Sequence, residues 1–493
     1  MQAMGLIFAI LLLLSVVCLW RAWRAGKKSA SQERKPASSI KPPFFDRDSA
    51  VEALAMAVRI PTVSHVDSSL TDWTAFDRYG QLLRERYPEI HKLAEIEVVQ
   101  EYALIYRLPG RNPQAKAVLW MSHQDVVPPG PTEDWTHPPF SAVIEDDVLW
   151  GRGALDMKSH TIAMFEACES VLASDHELER DLYFALGYDE EVGTNTSAVA
   201  MAAHMKQKGI SLAYVLDEST NAFFDAGLFD AEGLLACVGV TEKGFGNMSV
   251  SVQGEGGHAS LPPKRTALME LVGALKAMDG KVFPAKIAPP ISNIIDALLP
   301  HMSFKYRLLY ANRFITRLFL LRHLSKRPQC NAWIRSTVAL TTAQGSPQAN
   351  VLPRQASAAF NIRTAPWDRA QDIEEEIQRL CLRDGNEKTM RFQANLMDSA
   401  PISALKSPGA EIVFATVEEC FPECITVPSM MIGGTDATHF CALCDSVYRF
   451  SPFRSYMKYG QHIHNTNERI DVADFLHAVE FFQRLLLRGE THL

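Results

Sequence analysis

The residues best suited to chemistry in this chain sit at the ends of apolar runs. Ala117-Val-Leu-Trp-Met-Ser-His-Gln-Asp125 is a mostly apolar run closed by a His, one spacer residue and an Asp. Trp150-Gly-Arg-Gly-Ala-Leu-Asp156 ends in an acid. Leu182 to Glu191 ends in Asp189-Glu190-Glu191, and Ala213-Tyr-Val-Leu leads into Asp217-Glu218. Near the end of the chain, Gln461-His-Ile-His464 adds two more imidazoles. A His and several carboxylates offered in a row describe a cation site. Zinc takes N and O ligands, and a catalytic zinc site keeps one position open for water. A pair of ions about 3.5–4 Å apart needs a bridging carboxylate and terminal ligands on each side. The candidate metal ligands are His123, Asp156, Glu191, Asp217 and His464, with His462 a local competitor for the last. Asp125 is placed to hold His123, since a metal-bound His usually donates its second N–H to an acceptor that fixes the tautomer. Neighbours on an extended strand end point to opposite sides. One of Glu190 and Glu191 can therefore bind metal while the other remains a base for a water whose pKa the metal lowers. Any one such strand end alone is most simply a polar residue at a sheet edge or a cap. Four of them, each after an apolar run, make that reading hard to sustain together.

Buried strands must deliver these groups. Strand and helix patterns alternate from about residue 46 to 240, which predicts an α/β domain with a largely parallel sheet. In such sheets the binding crevice lies outside the carboxyl ends of the strands. From Gly244 the pattern changes. Gly246–Gln253, Trp333–Thr341 and Ala356–Arg363 alternate polar and apolar residues and predict a smaller sheet, half exposed. The expected architecture is a discontinuous catalytic domain, residues 46–240 and 366–493, with a lid domain inserted at 241–365. Phe304 to Leu324 is basic and apolar and reads as a surface helix whose apolar side packs on the body or on another subunit, in preference to a second membrane contact.

The chain has 493 residues, 47% hydrophobic and 22% charged, with a net charge of -8. This is the composition of a globular protein, and the acidity excludes nucleic acid as an expected partner. Nine cysteines form no disulfide framework. Cys420/Cys424 with Cys441/Cys444 have a spacing that could hold a structural zinc, although buried filler is the simpler reading. Ala3 to Trp20 is almost wholly apolar and is followed by Arg21, Arg24, Lys27 and Lys28. It lacks the basic start and small-residue cleavage site of a secretory signal. Residues 1–28 are therefore expected to be an uncleaved membrane anchor in preference to a signal peptide, whose cleavage would leave a secreted or luminal protein, and 29–45 a Ser/Lys/Pro-rich tether. The basic flank after the helix would place that side in the cytoplasm, against which a secreted or luminal catalytic part would run.

His123-Gln-Asp125-Val-Val-Pro, Gly151-Arg-Gly-Ala-Leu-Asp156-Met-Lys, Asp189-Glu-Glu-Val-Gly193, Gly256-Gly-His258-Ala-Ser, Gly433-Gly-Thr-Asp436 and His464-Asn-Thr-Asn-Glu, in this order, resemble the di-zinc aminoacylase and carboxypeptidase family. Arg449-Phe-Ser-Pro452 and the long stretch 281–328 resemble its carboxypeptidase S-like branch, which includes enzymes that hydrolyse or condense N-fatty-acyl amino acids. The resemblance implies a three-layer α/β/α zinc-peptidase domain with an α+β lid of the dimerisation type, two Zn2+ per subunit and a homodimer. It implies that His123, Asp156 and Asp217 are ligands with Asp156 bridging, and that Glu191 and His464, rather than His462, complete the second metal. Glu190 would be the general base and Asp125 would orient His123. His258 would stabilise the oxyanion, from a neighbouring subunit in some relatives, and Asn350 and Arg363 would bind substrate, the latter by its carboxylate. Two departures, Ala437-Thr-His-Phe where many relatives carry an Arg, and Ser159-His160, spare the ligands and leave the substrate preference open. The activity implied is hydrolysis of the amide of N-acyl amino acids or of peptides with a free carboxyl end. A small-substrate aminoacylase or dipeptidase is the alternative. An inactive membrane-tethered interaction protein and a di-metal phosphoesterase are the competing classes, disfavoured by the completeness of the site and by the motif order respectively.

Overall fold

A computed structural model describes residues 2–27, 40–219, 222–280, 283–382 and 389–492. Most of the expected tether lies outside these residues. The main sheet has nine strands. Its spatial order is Glu95–Val99, Ala103–Leu108, Leu182–Gly187, Ala117–His123, Leu212–Asp217, Val447–Arg449, Leu234–Glu242 and Cys424–Met431, with Phe223–Asp225 paired to Leu234–Glu242. The central pairs around Ala117–His123 are parallel, and the Glu95 edge is an antiparallel hairpin.

The alternation of side chains along the central strands builds two cores. Val118, Trp120, Phe184 and Leu186 face one way, onto the helices Arg47–Val58, Lys158–Leu172 and Val472–His492. Leu119, Met121, Tyr183 and Ala185 face the other way, onto Met201 and Met205 of the helix Thr196–Gln207. Strands covered on both faces need continuous apolar runs, which is what made them legible in the sequence. The result is the expected three-layer α/β/α body.

The second sheet is antiparallel, in the order Thr337–Gln344, Gln355–Thr364, Gly244–Gln253, Met390–Ala394. One face carries Met248, Val250, Ala358 and Phe360 against the helices Ala267–Met278 and Ala370–Cys381. Three expectations change here. The boundary at 365/366 falls inside this unit, because Ala370–Cys381 and Met390–Ala394 complete it, and the chain rejoins the main sheet near Ala400 and Ser403, whose amides donate to Glu242 and Val240 carbonyls. Trp333 and Ile334 end a helix, Pro328–Ile334, and the strand begins at Thr337. Trp333 is held there by its indole N–H, which donates to the Met430 carbonyl at 2.9 Å. Finally, residues 291–334 are not lid. Helices Ile291–Leu298, Phe304–Ala311, Arg313–Leu324 and Pro328–Ile334 return to the far edge of the main sheet, packing Ile294, Leu298, Leu320 and Trp333 on Leu235, Cys237, Val427 and Met430.

Candidate metal centre

His123, Asp156, Glu190, Glu191 and Glu218 arrive on a strand end or the loop after it, and His464 on the turn that follows the short helix Gly460–His462. His123 closes its strand, buried, and its Nδ1 lies 2.9 Å from the backbone carbonyl of Asp125. A carbonyl only accepts, so Nδ1 carries the proton and Nε2 presents a lone pair. Asp125 thus orients His123 chiefly through its main chain; its carboxylate is 3.4 Å away. That carboxylate accepts from the Ser64 hydroxyl at 2.6 Å and the Glu191 amide at 3.2 Å, tying the two strand ends together.

Two groups of three ligand atoms, each within 4.8 Å of one another, form around one shared acid: His123, Asp156 and Glu218, and Asp156, Glu191 and His464. Asp156 divides its oxygens between them. Oδ1 is 3.4 Å from His123 Nε2, and Oδ2 is 3.2 Å from His464 Nε2. Glu191 lies 2.8 Å from His464, and Glu218 3.5 Å from His123. His462 turns away and donates from Nδ1 to the Thr466 carbonyl. Among the described residues these are the groups of this kind, and the four paired cysteines do not make one.

Asp217, expected as a ligand, is not in either group. It is the last residue of its strand, and its oxygens accept from the amides of Glu218 at 2.8 Å and Ala437 at 2.9 Å. The strand's period of two sends the next side chain, Glu218, to the opposite side and toward His123. Asp217 instead fastens the strand end to the Gly-Gly-Thr-Asp turn. The sequence held the needed signal, since Asp217-Glu218 is an adjacent pair like Glu190-Glu191, but the choice within the pair depends on where the strand ends.

Glu468 also escaped the sequence reading as a positioning group. It is buried, accepts from the amides of Leu155 at 2.8 Å and Asp156 at 2.9 Å, and pairs with buried Arg152 at 2.6 Å. The Tyr456 hydroxyl donates to the Leu155 carbonyl. The backbone that carries the shared acid is thereby fixed from three directions. Asp436 lies buried over Gly187, where a Cβ would come within 2.6 Å of its Oδ2; glycine is needed for that approach.

The donor set fits cations. His123 Nε2, Glu191 Oε1 and Glu218 Oε2 are buried without a hydrogen-bond partner, a costly state unless another group completes them. Burial, with Asp156 beside it, pushes the Glu218 carboxyl up to about 8. Burial, again with Asp156, raises Glu191 to about 7, and burial drives Glu190 well above the usual carboxylate range. Burial alone would raise Asp156 too, but His123 and His464 hold it below that range. His464, bonded to Asp156 and Glu191, is raised to about 10. These are the strains of crowded carboxylates with protons where cations would sit, and a bound cation reverses them. Glu190 stands at the same place, 4.0 Å from His123 Nε2, outside both groups of three.

The other expected site residues lie in the inserted unit. His258 is exposed on a two-residue strand paired with Val351, and its Nδ1 accepts from the Ser260 amide. The Asn350 carbonyl accepts from the Ala259 amide, so Asn350 is adjacent to His258. Arg363 is half-buried, its guanidinium 5.3 Å over the Phe245 ring. Among the described residues no hydrogen bond or ion pair joins these three to the metal centre.

The model of peptidase family M20/M25/M40 matches residues 119–488. The chain is 30% identical over 445 residues to a probable carboxypeptidase S-like 2 of Dictyostelium discoideum, covering 90% of this chain and 85% of that one. It is 31% identical over 450 residues to the N-fatty-acyl-amino acid synthase/hydrolase PM20D1 of Xenopus tropicalis, covering 90% and 87%. Among solved structures, an M20 family metallo-carboxypeptidase from Sulfolobus solfataricus superposes with a TM-score of 0.62 at 16% identity, over 89% of this chain and 98% of that one. Human carnosine dipeptidase 1 does so with 0.61, also at 16%, over 90% of this chain and 97% of that one. The chain belongs to peptidase family M20/M25/M40, and is a metal-dependent hydrolase of amide bonds.

Proposed function

We propose that this protein hydrolyses the amide bond of N-acyl amino acids with a free carboxylate, using two zinc ions. The carrying observation is the pair of ligand groups sharing Asp156 with Glu190 beside them. His123, Asp156 and Glu218 would hold one ion, and Asp156, Glu191 and His464 the other. When bound, the ions supply Lewis acidity to the amide carbonyl and lower the pKa of water. Glu190 takes a proton from the attacking water and gives it to the amine nitrogen as the C–N bond breaks. Glu468, Asp125 and Ser64 keep the ligands in place through main-chain and hydroxyl contacts. His258 donates to the oxyanion, and Arg363 pairs with the substrate carboxylate, as a planar fork suits.

The choice of N-acyl amino acids rests on the PM20D1 relatives, named for N-fatty-acyl amino acids. The carboxypeptidase S relatives favour peptides with a free carboxyl end as the second reading. The apolar N-terminal helix, 22 residues from Leu6 to Lys27 and almost wholly outside the body, supports a membrane anchor. The test is a specificity profile of the purified zinc-loaded enzyme on N-acyl amino acids of rising chain length and on dipeptides, with Glu190→Gln as control. The proposal expects specificity constants that rise with acyl length and exceed those on dipeptides. The reverse ranking would favour the peptidase reading, and no turnover of either class would refute both.

A further inference from the structure

The helix Arg313–Leu324 is built with two apolar faces. One, with Leu320 and Leu324, is buried in the core against the main sheet. The other carries Phe314, Ile315, Leu318 and Phe319, exposed by 56%, 55%, 71% and 56%. Positions i, i+1, i+4 and i+5 make a continuous stripe on a 3.6-residue helix. Four large apolar side chains in one exposed stripe are not ordinary surface.

What lies beside this stripe says what covers it. The N-terminal helix Gln2–Lys27 meets the body at this place. The Arg21 guanidinium donates twice to the Ala311 carbonyl, at 3.2 and 3.0 Å, and lies 5.1 Å over the Phe314 ring. The Asn312 amide donates to the Cys18 carbonyl at 3.1 Å. Before this junction the N-terminal helix is exposed and apolar, from Leu6 to Trp20. Trp20 and Trp23, then Arg21, Arg24 and Lys27, are the residue types that mark the edge of a bilayer. Phe314 therefore sits at the depth where the anchor leaves the membrane. The charge agrees. Between Asp296 and Ser336 there are eight Lys and Arg and no acid, in a chain of net charge -8. Arg317, Arg322 and Lys326 are exposed there. An amphipathic helix with this makeup lies in the headgroup plane of an anionic leaflet.

We infer that the Arg313–Leu324 helix is a second membrane contact, lying flat in an anionic lipid surface beside the anchor and fixing the catalytic body against it. This rests on the reading of the N-terminal helix as an anchor, and it goes beyond the packing expected from sequence. The experiment uses the full chain in phosphatidylcholine vesicles, with or without phosphatidylserine, containing a phospholipid with a diazirine near the top of its acyl chain. Crosslinked peptides are mapped by mass spectrometry. The inference expects crosslinks on both the N-terminal helix and residues 313–324, the latter increased by phosphatidylserine. Phe314→Ser/Leu318→Ser/Phe319→Ser should cut the second set about fivefold or more and leave the first unchanged. Arg317→Gln/Arg322→Gln, which spares the apolar stripe, should abolish the phosphatidylserine dependence. Crosslinks on the N-terminal helix alone would overturn the inference and leave the anchor standing. Crosslinks on 313–324 alone would sustain the lipid contact and remove the anchor. Protection of 313–324 from hydrogen exchange that grows with protein concentration, without lipid crosslinks, would assign the stripe to a second copy and overturn it.

Discussion

In the proposed mechanism adjacent acids divide the labour of this site, and mutation tests the division. Glu190→Gln keeps shape and loses the base. Turnover should fall by at least about a hundredfold, with metal content by elemental analysis unchanged; substantial residual activity would remove Glu190 from the chemistry. The Asp217-Glu218 pair gives a sharper test. Glu218→Ala should lose one metal equivalent, while Asp217→Asn should keep both. Asn at 217 would turn a donor toward one of the two amides that Asp217 now satisfies, costing about 1–3 kcal/mol, visible as a lower Tm. Metal loss in Asp217→Asn with retention in Glu218→Ala would restore the sequence expectation. The ligand group formed in the structure differs from that expectation by one residue, because side-chain facing alternates at every step and the strand's last residue is set by hydrogen bonding that composition does not show. His464, by contrast, came from the family's motif. The local reason is visible only in the fold, where Thr466 captures His462.

At the scale of elements, the strands that lead to His123, Glu190, Glu191 and Glu218 were legible because they are buried on both faces and read as apolar runs. A helix over Phe304 to Leu324 was legible as well, but the place of the helices after Lys281 was not, because their apolar residues serve a sheet edge that the chain reaches only by folding back. What holds them there is partly one acid. Asp230 accepts from Tyr310 at 2.9 Å, His323 at 2.8 Å and Arg327 at 2.6 Å, one partner from each of two helices and the third from the turn after them. Asp230→Ala should destabilise by about 1–3 kcal/mol, less than a fully buried pair because the partners are partly exposed. Hydrogen exchange should rise first in residues 304–327; uniform change across the chain would deny the latch. A different element sets an acid limit. His160, on the helix Lys158–Leu172, is buried with both ring nitrogens unpartnered, its centroid 5.0 Å from the Phe482 ring. Burial holds it down to about 3. Below the unfolded value of about 6.5, the unfolded chain binds a proton that the folded one refuses, so stability falls with falling pH by up to about 1.4 kcal/mol per unit until about pH 3. His160→Phe should remove this component, and identical pH–stability curves for the two proteins above and below pH 6.5 would contradict it.

For the whole molecule, the inserted unit leaves its mark on what a single chain can do. His258 is exposed on this unit, without a bond to the metal centre in its own chain. The same unit presents an uncovered edge strand, Thr337–Gln344, beside a helix with exposed Leu268, Met269 and Val272. An exposed strand edge flanked by apolar residues favours pairing with a second copy. The inserted sheet was legible in sequence through its polar–apolar alternation. The relation of its His to the site was not, because no local pattern encodes which copy's site a residue serves. If His258 acts across a dimer, a mixture of His258→Ala and Glu190→Gln proteins, each nearly inactive, should recover up to about a quarter of the wild-type rate, since random exchange makes half the dimers mixed and each mixed dimer holds one site with both residues. His258→Ala alone should lose on the order of a hundredfold in turnover, as for removal of an oxyanion donor, with metal content retained. No recovery after exchange has been verified by differently tagged subunits would place His258 in its own chain's reaction, through closure of the insert onto the body. Metal loss in His258→Ala would make it a ligand instead and reject its assignment to the oxyanion.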